Sequence, residues 1–320
     1  MPQTTNQTTY QTDQRPVGSL EALGRVLGCS VAELKRIASR IDLHYSGPVV
    51  VRKRGKKDRL TYPARPRLRQ IHDRLMDRLL SRIQFPSYLK GGIRGRGYLA
   101  NAREHAGADI LFGQDVEDFY GSITVAHIRY ILQHVLCFPE DVSLLLATLC
   151  SRKGSLVQGG VVSTHLANLA LYRTEPGFAE AMKELGCTFS RFVDDCHVSR
   201  RGRLPRHLIP RIESMARSML IRHGYRPKRK KQFIRSQLQT MTVHNLNVNS
   251  TVSQPEKKRK DIRAGLHQFE RAVAVTAVWN TELEGQYLRL ATRLGQLRLT
   301  NPGVATTMRK KLRELASFRP

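Results

Sequence analysis

The sequence predicts a mixed α+β fold, on three observations. Between residues 108 and 250, strand-like apolar runs alternate with helix-like segments, a pattern that builds a sheet backed by helices. From about residue 255 the pattern is helical throughout, with Ile262, Leu266, Phe269, Val273 and Ala277 recurring on one face. The chain is 320 residues long with ordinary apolar content, enough to bury a core and to hold two or three subdomains.

Taken in order, residues 1–18 are a polar Thr/Gln tract poor in apolar side chains, and the expected division places a flexible arm over 1–19. Two short helical patterns follow. In the second, Ser30 and Glu33 have capping-box spacing, and Leu34, Ile37, Ala38 and Ile41 share a face. Val49-Val50-Val51 and Leu60-Thr61-Tyr62 flank a cationic turn over Arg52–Arg59, which reads as a hairpin. Pro66 can open a helix that buries Leu68, Ile71, Leu75, Leu79 and Ile83 and ends before Pro86. The loop Gly91-Gly92-Ile93-Arg94-Gly95-Arg96-Gly97 lacks the strand-before, helix-after setting of a dinucleotide fingerprint. It is either a close-approach loop for phosphates or a flexible connection.

Charge narrows the function. Lys and Arg number 54 against 26 Asp and Glu, a net +28, and the isoelectric point is near 10.7. That excess is a field for phosphate backbones; no basic amphipathic helix or lipidation signal points to a membrane instead. Apolar stretches such as Leu144 to Cys150 are too short to span a bilayer, and the N-terminal tract has no secretion-signal character. Five cysteines without a CxxC pair fit reduced thiols and a cytoplasmic setting rather than zinc or disulfides.

Against that background the carboxylates stand out. Ile110-Leu111-Phe112-Gly113-Gln114-Asp115 is an apolar strand ending in an acid, and the chain then turns toward a helix near Ile123. Thr188 to Val198 forms a second pair of half-strands broken by Asp194-Asp195. Adjacent like charges at a hairpin tip are unfavourable without a cation, although Asp is also an ordinary turn residue. Hard divalent ions bridged by such aspartates are what nucleotidyl transfer requires: one activates the attacking hydroxyl, the other takes up charge on pyrophosphate. Between them, Ser155-Leu156-Val157-Gln158-Gly159-Gly160 feeds a small-residue helix carrying Leu166-Ala167-Asn168-Leu169, whose low bulk allows close packing under a nucleotide. Residues 200–235 add 13 Lys and Arg against the single acid Glu213, a density of one sign that calls for a polyanion.

The order of these motifs resembles the reverse transcriptase palm, and more narrowly a bacterial retron reverse transcriptase. Asn101-Ala102-Arg103-Glu104-His105 is similar to the retron NAxxH signature before the first carboxylate strand. Leu246-Asn247-Val248-Asn249, Lys257 to Arg263, Gly295 and Asn301-Pro302-Gly303 are similar to the family's approach to the thumb and its C-terminus. The resemblance covers roughly residues 20–315. It implies a right-hand polymerase with fingers over 20–107, a palm of antiparallel sheet backed by helices over 108–250, and a helical thumb over 251–320.

The resemblance also implies roles. Asp115, Asp194 and Asp195, with the Val116 carbonyl, would hold two Mg²⁺. Tyr120 matches the ring that excludes a ribose 2′-OH, with a core tyrosine as the plainer alternative. Gln158 falls where family members meet nucleotide and template, and its amide can both donate and accept. Arg59, or less suitably Lys53, would grip the triphosphate, and Lys231 matches the lysine that neutralises the leaving group. Asn101, His105, Val243 and Asn245 match RNA-contacting or structural positions. Tyr225, Phe233 and Phe269 are either stacking rings or core.

Implied partners are dNTPs, a cognate noncoding RNA serving as primer and template, its branched RNA–DNA product, and an effector protein in antiphage defence, with no membrane. No RNase H-like region is expected after the thumb. Two departures mark this chain. Phe192-Val193-Asp194-Asp195 stands where the family has Tyr-Ala-Asp-Asp, and Val243-His244-Asn245 stands where retron enzymes have Val-Thr-Gly. The alternatives are another bacterial reverse transcriptase, defence-associated or diversity-generating, and a non-catalytic RNA-binding scaffold with a polymerase fold.

Overall fold

The computed structural model describes residues 10–12, 15–52, 58–276, 278–317 and 319. Lys53, most of the cationic turn around it, and Ala277 lie outside them. Helices and small antiparallel sheets mix along the chain, which falls into two compact units. One comprises the chain up to Asn101 together with Ile110–Ile234; the other comprises Ala102–Asp109 together with the chain from Arg235.

The first unit is organised on a four-stranded sheet, in the order Phe233–Ser236, Ile110–Asp115, Asp195–Arg200, Thr188–Phe192. Ile110–Asp115 runs antiparallel to Asp195–Arg200 with Asp115 opposite Asp195, and Asp195–Arg200 pairs in turn with Thr188–Phe192 through a two-residue turn. Leu111 through Asp115 are all buried, as a strand covered on both faces requires. Gly113 is a necessity of packing: a Cβ there would lie 2.3 Å from the Phe233 ring. Phe233 therefore lies against the sheet, and Tyr225 is core, edge-on to Phe119 at 5.3 Å.

The expected hairpin is present, Val49–Val51 against Arg59–Thr61. Ser30 caps its helix by accepting from the Glu33 amide at 3.1 Å. The Glu33 carboxylate, however, accepts from Arg67 Nε at 2.7 Å and Nη2 at 2.8 Å; a guanidinium fork outcompetes a single backbone amide. The helix opened by Pro66 ends at Arg78, not before Pro86. A 3₁₀ turn over Leu80–Arg82 follows, and Ile83–Gln84 pairs with Gln11–Thr12. That pairing overrides the helical spacing of Ile83, and it also ties part of the segment expected as a loose arm into the unit. The small-residue helix forms over Ser163–Leu169 and is almost wholly buried.

The second unit has its own core. Helices Glu256–Val275, Thr281–Arg298 and Pro302–Leu315 bury Ile262, Leu266, Phe269, Leu290, Leu294 and Met308 against one another, so Phe269 is core as well. A tight hairpin joins Thr242–Val243 to Leu246–Asn247, and the Gly107 amide donates to the Val248 carbonyl at 2.9 Å. Among the described residues, no helix is long and apolar enough to cross a membrane.

Candidate active site

Strand register brings the carboxylates together. Asp115 ends its strand opposite Asp195, and the adjoining Val193-Asp194 turn is fastened to the same strand end, because the Val116 amide donates to the Asp194 carbonyl at 3.0 Å. The Lys228 amide donates to the Asp115 carbonyl at 2.8 Å. Residues far apart in sequence thus share one rigid backbone frame.

That frame is strained at one point. Val193 has φ +59°, a genuine outlier for a β-branched residue. Gly91 presses against it from outside: a Cβ there would lie 2.5 Å from Val193 Cγ2 and 2.8 Å from its amide nitrogen. At Gly91 the glycine-rich loop packs as a backbone buttress against the turn. Arg96 fixes the loop by donating to the Leu89 carbonyl at 2.8 Å and the Phe85 carbonyl at 2.9 Å.

The electrostatics are those of crowded acids. Burial, then Asp194, then Asp115 push the Asp195 carboxyl up to about 7, and Asp115 and Asp195 share a side-chain hydrogen bond. Burial and Asp115 likewise raise Asp194. In both residues desolvation and like charge each disfavour the charged form. Lys231 relieves part of this by pairing its ammonium with the Asp115 carboxylate. Among the described residues, no three or more His, Cys, Asp or Glu side chains converge as a ready-made metal site. The donor chemistry nevertheless fits a hard divalent ion, since carboxylate and carbonyl oxygens are its preferred ligands. The Asp115–Lys231 pair also shows that the strand end takes a cation.

These groups open on a cleft of about 480 Å³ whose lining includes Asp115, Val116, Asp194, Arg59, Gln158 and Lys231. Tyr120 lines it too; its hydroxyl meets Thr164 Oγ1 at 3.3 Å, and burial raises its pKa. Among the described residues, every expected metal or nucleotide residue other than Asp195 is on this wall, and Asp195 is paired to Asp115 in the adjoining strand. The expected RNA-contacting residues are elsewhere. Asn101, His105 and Val243 are each 0 % exposed, and Asn245 is exposed on its turn.

No protein-family model matches the chain. Individual relatives do. Retron Se72 reverse transcriptase of Salmonella heidelberg is 30% identical over 184 residues, 58% of this chain and 48% of that protein. Retron Ec48 reverse transcriptase of Escherichia coli is 26% identical over 279 residues, 83% of this chain and 68% of the relative. Retron Mx65 reverse transcriptase of Myxococcus xanthus is 24% identical over 312 residues, 91% of this chain and 70% of the relative. The chain is similar to retron reverse transcriptases over much of its length. It spans about half the length of the Salmonella relative and roughly two thirds of the other two.

Two cleft residues escape sequence reasoning. Arg152 lies with its guanidinium 3.9 Å from the Tyr62 ring centroid, and Lys153 follows it in a tight turn with Gly154. Both line the cleft. The available signal was the Lys-Gly pair between Ser151-Arg152 and Ser155-Leu156, a two-residue hairpin with positive φ at both turn positions.

Proposed function

We propose that this chain is an RNA-directed DNA polymerase whose reaction takes place in the cleft at Asp115, Asp194 and Asp195. The observation that carries the reading is the pairing of Asp115 with Asp195 at the wall of a cleft that also displays Arg59, Tyr120, Gln158 and Lys231. In a protein of net charge +28, crowded carboxylates, Asp115 buried and Asp194 and Asp195 half-buried, beside an open cleft are a cost that cation binding removes. The right-hand division into fingers (20–107), palm (108–250) and thumb (251–320) belongs to this proposal.

Asp115, Asp194 and Asp195, with the Val116 carbonyl, would hold two Mg²⁺, which when bound activate the attacking hydroxyl and take up charge on the departing pyrophosphate. The remaining work falls to the chain itself. Arg59 offers a planar fork to the triphosphate. The Tyr120 ring bounds the space beside the sugar and excludes a 2′-OH. Gln158 hydrogen-bonds nucleotide or template through its amide. Lys231, paired with Asp115 in this structure, would offer its ammonium to the leaving group.

The substrates are dNTPs, and the primer and template are a cognate noncoding RNA that becomes branched RNA–DNA. Antiphage defence with an effector protein, and a cytoplasmic setting, complete the proposal. The changed Val243-His244-Asn245 box favours one second reading, another bacterial reverse transcriptase of defence-associated or diversity-generating type. Sequencing copurified nucleic acid separates the two: branched RNA–DNA supports the first, unbranched cDNA the second. A non-catalytic scaffold is tested by Asp194→Asn. It should lower Mg²⁺-dependent dNTP incorporation by on the order of 10³-fold while RNA binding persists; incorporation at the wild-type rate would end the catalytic reading.

A further inference from the structure

We infer that Arg191, held by Glu175 and Tyr10, is a positioning residue that fixes the backbone of the Val193-Asp194 turn and thereby aims the Asp194 and Asp195 carboxylates. The inference rests on the catalytic reading above. Arg191 and Glu175 are both 0 % exposed and form an ion pair. The guanidinium fork donates to Glu175 through Nε and through Nη2, the latter at 2.7 Å. Its remaining hydrogens go to main-chain carbonyls: Val193 at 2.8 Å and Ala167 at 3.5 Å through Nη1, and Asn168 at 2.7 Å through Nη2. One rigid group thus ties the strained turn to the end of the Ser163–Leu169 helix.

A second layer braces the first. The Tyr10 hydroxyl lies 2.8 Å from Glu175 Oε2 and 3.1 Å from the Asn168 carbonyl, at the head of the Gln11–Thr12 strand that pairs with Ile83–Gln84. Asn168 Nδ2 donates to the Gly91 carbonyl at 2.8 Å, and Gly91 is the residue pressed against Val193. The network therefore reaches the turn from beneath through Arg191 and from outside through Gly91.

Two physical points assign it to positioning. A buried ion pair is a poor source of stability, since desolvation offsets its attraction. A β-branched residue at positive φ persists only where its surroundings over-determine it, and the Arg191 fork ends on the carbonyl of that residue. Lysine has the charge but a single point of donation, so it cannot hold Glu175, Asn168 and Val193 in one plane.

The test is steady-state primer extension by the full chain, with RNA affinity and circular dichroism measured alongside. Arg191→Lys should lower kcat by on the order of 10²-fold, with KM for dNTP and RNA Kd within about threefold of wild type. Tyr10→Phe, which leaves the ion pair intact, should lower kcat about tenfold. Because glycine accepts positive φ without strain, Val193→Gly should make the turn less dependent on the clamp, shrinking the Arg191→Lys loss to about tenfold in that background.

A folded Arg191→Lys enzyme with wild-type kcat, or a loss of unchanged size in the Val193→Gly background, overturns the inference. If Arg191→Lys fails to fold, Tyr10→Phe decides, and wild-type kcat there overturns it. The catalytic reading fails separately: it falls if Asp194→Asn is active, whereas an inactive Asp194→Asn beside a fully active Arg191→Lys sinks the positioning role alone.

Discussion

The Phe192–Asp195 and Val243–Leu246 hairpins each reverse the chain in two residues, and each requires left-handed backbone. In the second, the burden falls on His244 (φ +51°) and Asn245 (φ +60°), residue types that enter this region at small cost. In the first it falls on Val193 (φ +59°), which does so reluctantly, held by a fully buried Arg191–Glu175 pair and against Gly91. One turn is comfortable by composition. The other is held by its surroundings, and it carries the carboxylates. Strain and bracing are concentrated where side-chain aim matters, which is where functional sites keep them.

The comparison breaks most easily at Gly91. Gly91→Ala puts a methyl group against the Val193 backbone, which a flexible side chain cannot absorb. The expected result is a kcat reduced by on the order of 10²-fold, with a stability loss of about 1–3 kcal/mol by urea titration. A comparable glycine-to-alanine change at Gly303, which has open space around it, serves as the control, and equal kcat effects at both positions would remove the distinction.

A smaller effect sharpens the contrast through pH, because the two hairpins respond to acid with opposite sign. Burial pushes His244 down to about 4, so between roughly 4 and 6.5 the unfolded chain binds the extra proton and His244 stability is lost as pH falls. Asp195 is pushed up to about 7, so the folded form binds the extra proton and stability is lost as pH rises from about 4 to about 7. Urea midpoints at pH 5 and pH 7 should therefore fall less on acidification in His244→Asn than in wild type, and fall more in Asp195→Asn. Parallel curves for all three proteins would contradict the assignment of these groups.

Much of the site was legible before the structure. Asp115, at the end of an apolar run, and Asp194-Asp195, between two others, announce strand ends, and period-two strands put their last residues side by side once paired. Arg59, Gln158 and Lys231 were reachable through the motif resemblance. Arg191 was not, because its partners Glu175, Asn168 and Tyr10 are brought to it by packing, and no local spacing encodes that. The early end of the Pro66 helix has the same cause: Ile83 keeps a helical period but is taken by a strand pairing with Gln11–Thr12. Asn101 and His105, RNA-contacting or structural positions by resemblance, are fully buried side chains here, a burial that no local spacing announced.

The central claim is that Asp115, Asp194 and Asp195 jointly hold divalent cations. It is tested most directly by titrating Mn²⁺ into the wild-type chain and into Asp194→Asn and Asp195→Asn, reading bound ion by electron paramagnetic resonance. The account predicts saturable binding by wild type, displaced by Mg²⁺, and weakened at least about tenfold in each variant. Mn²⁺ binding of equal affinity in all three proteins would contradict it.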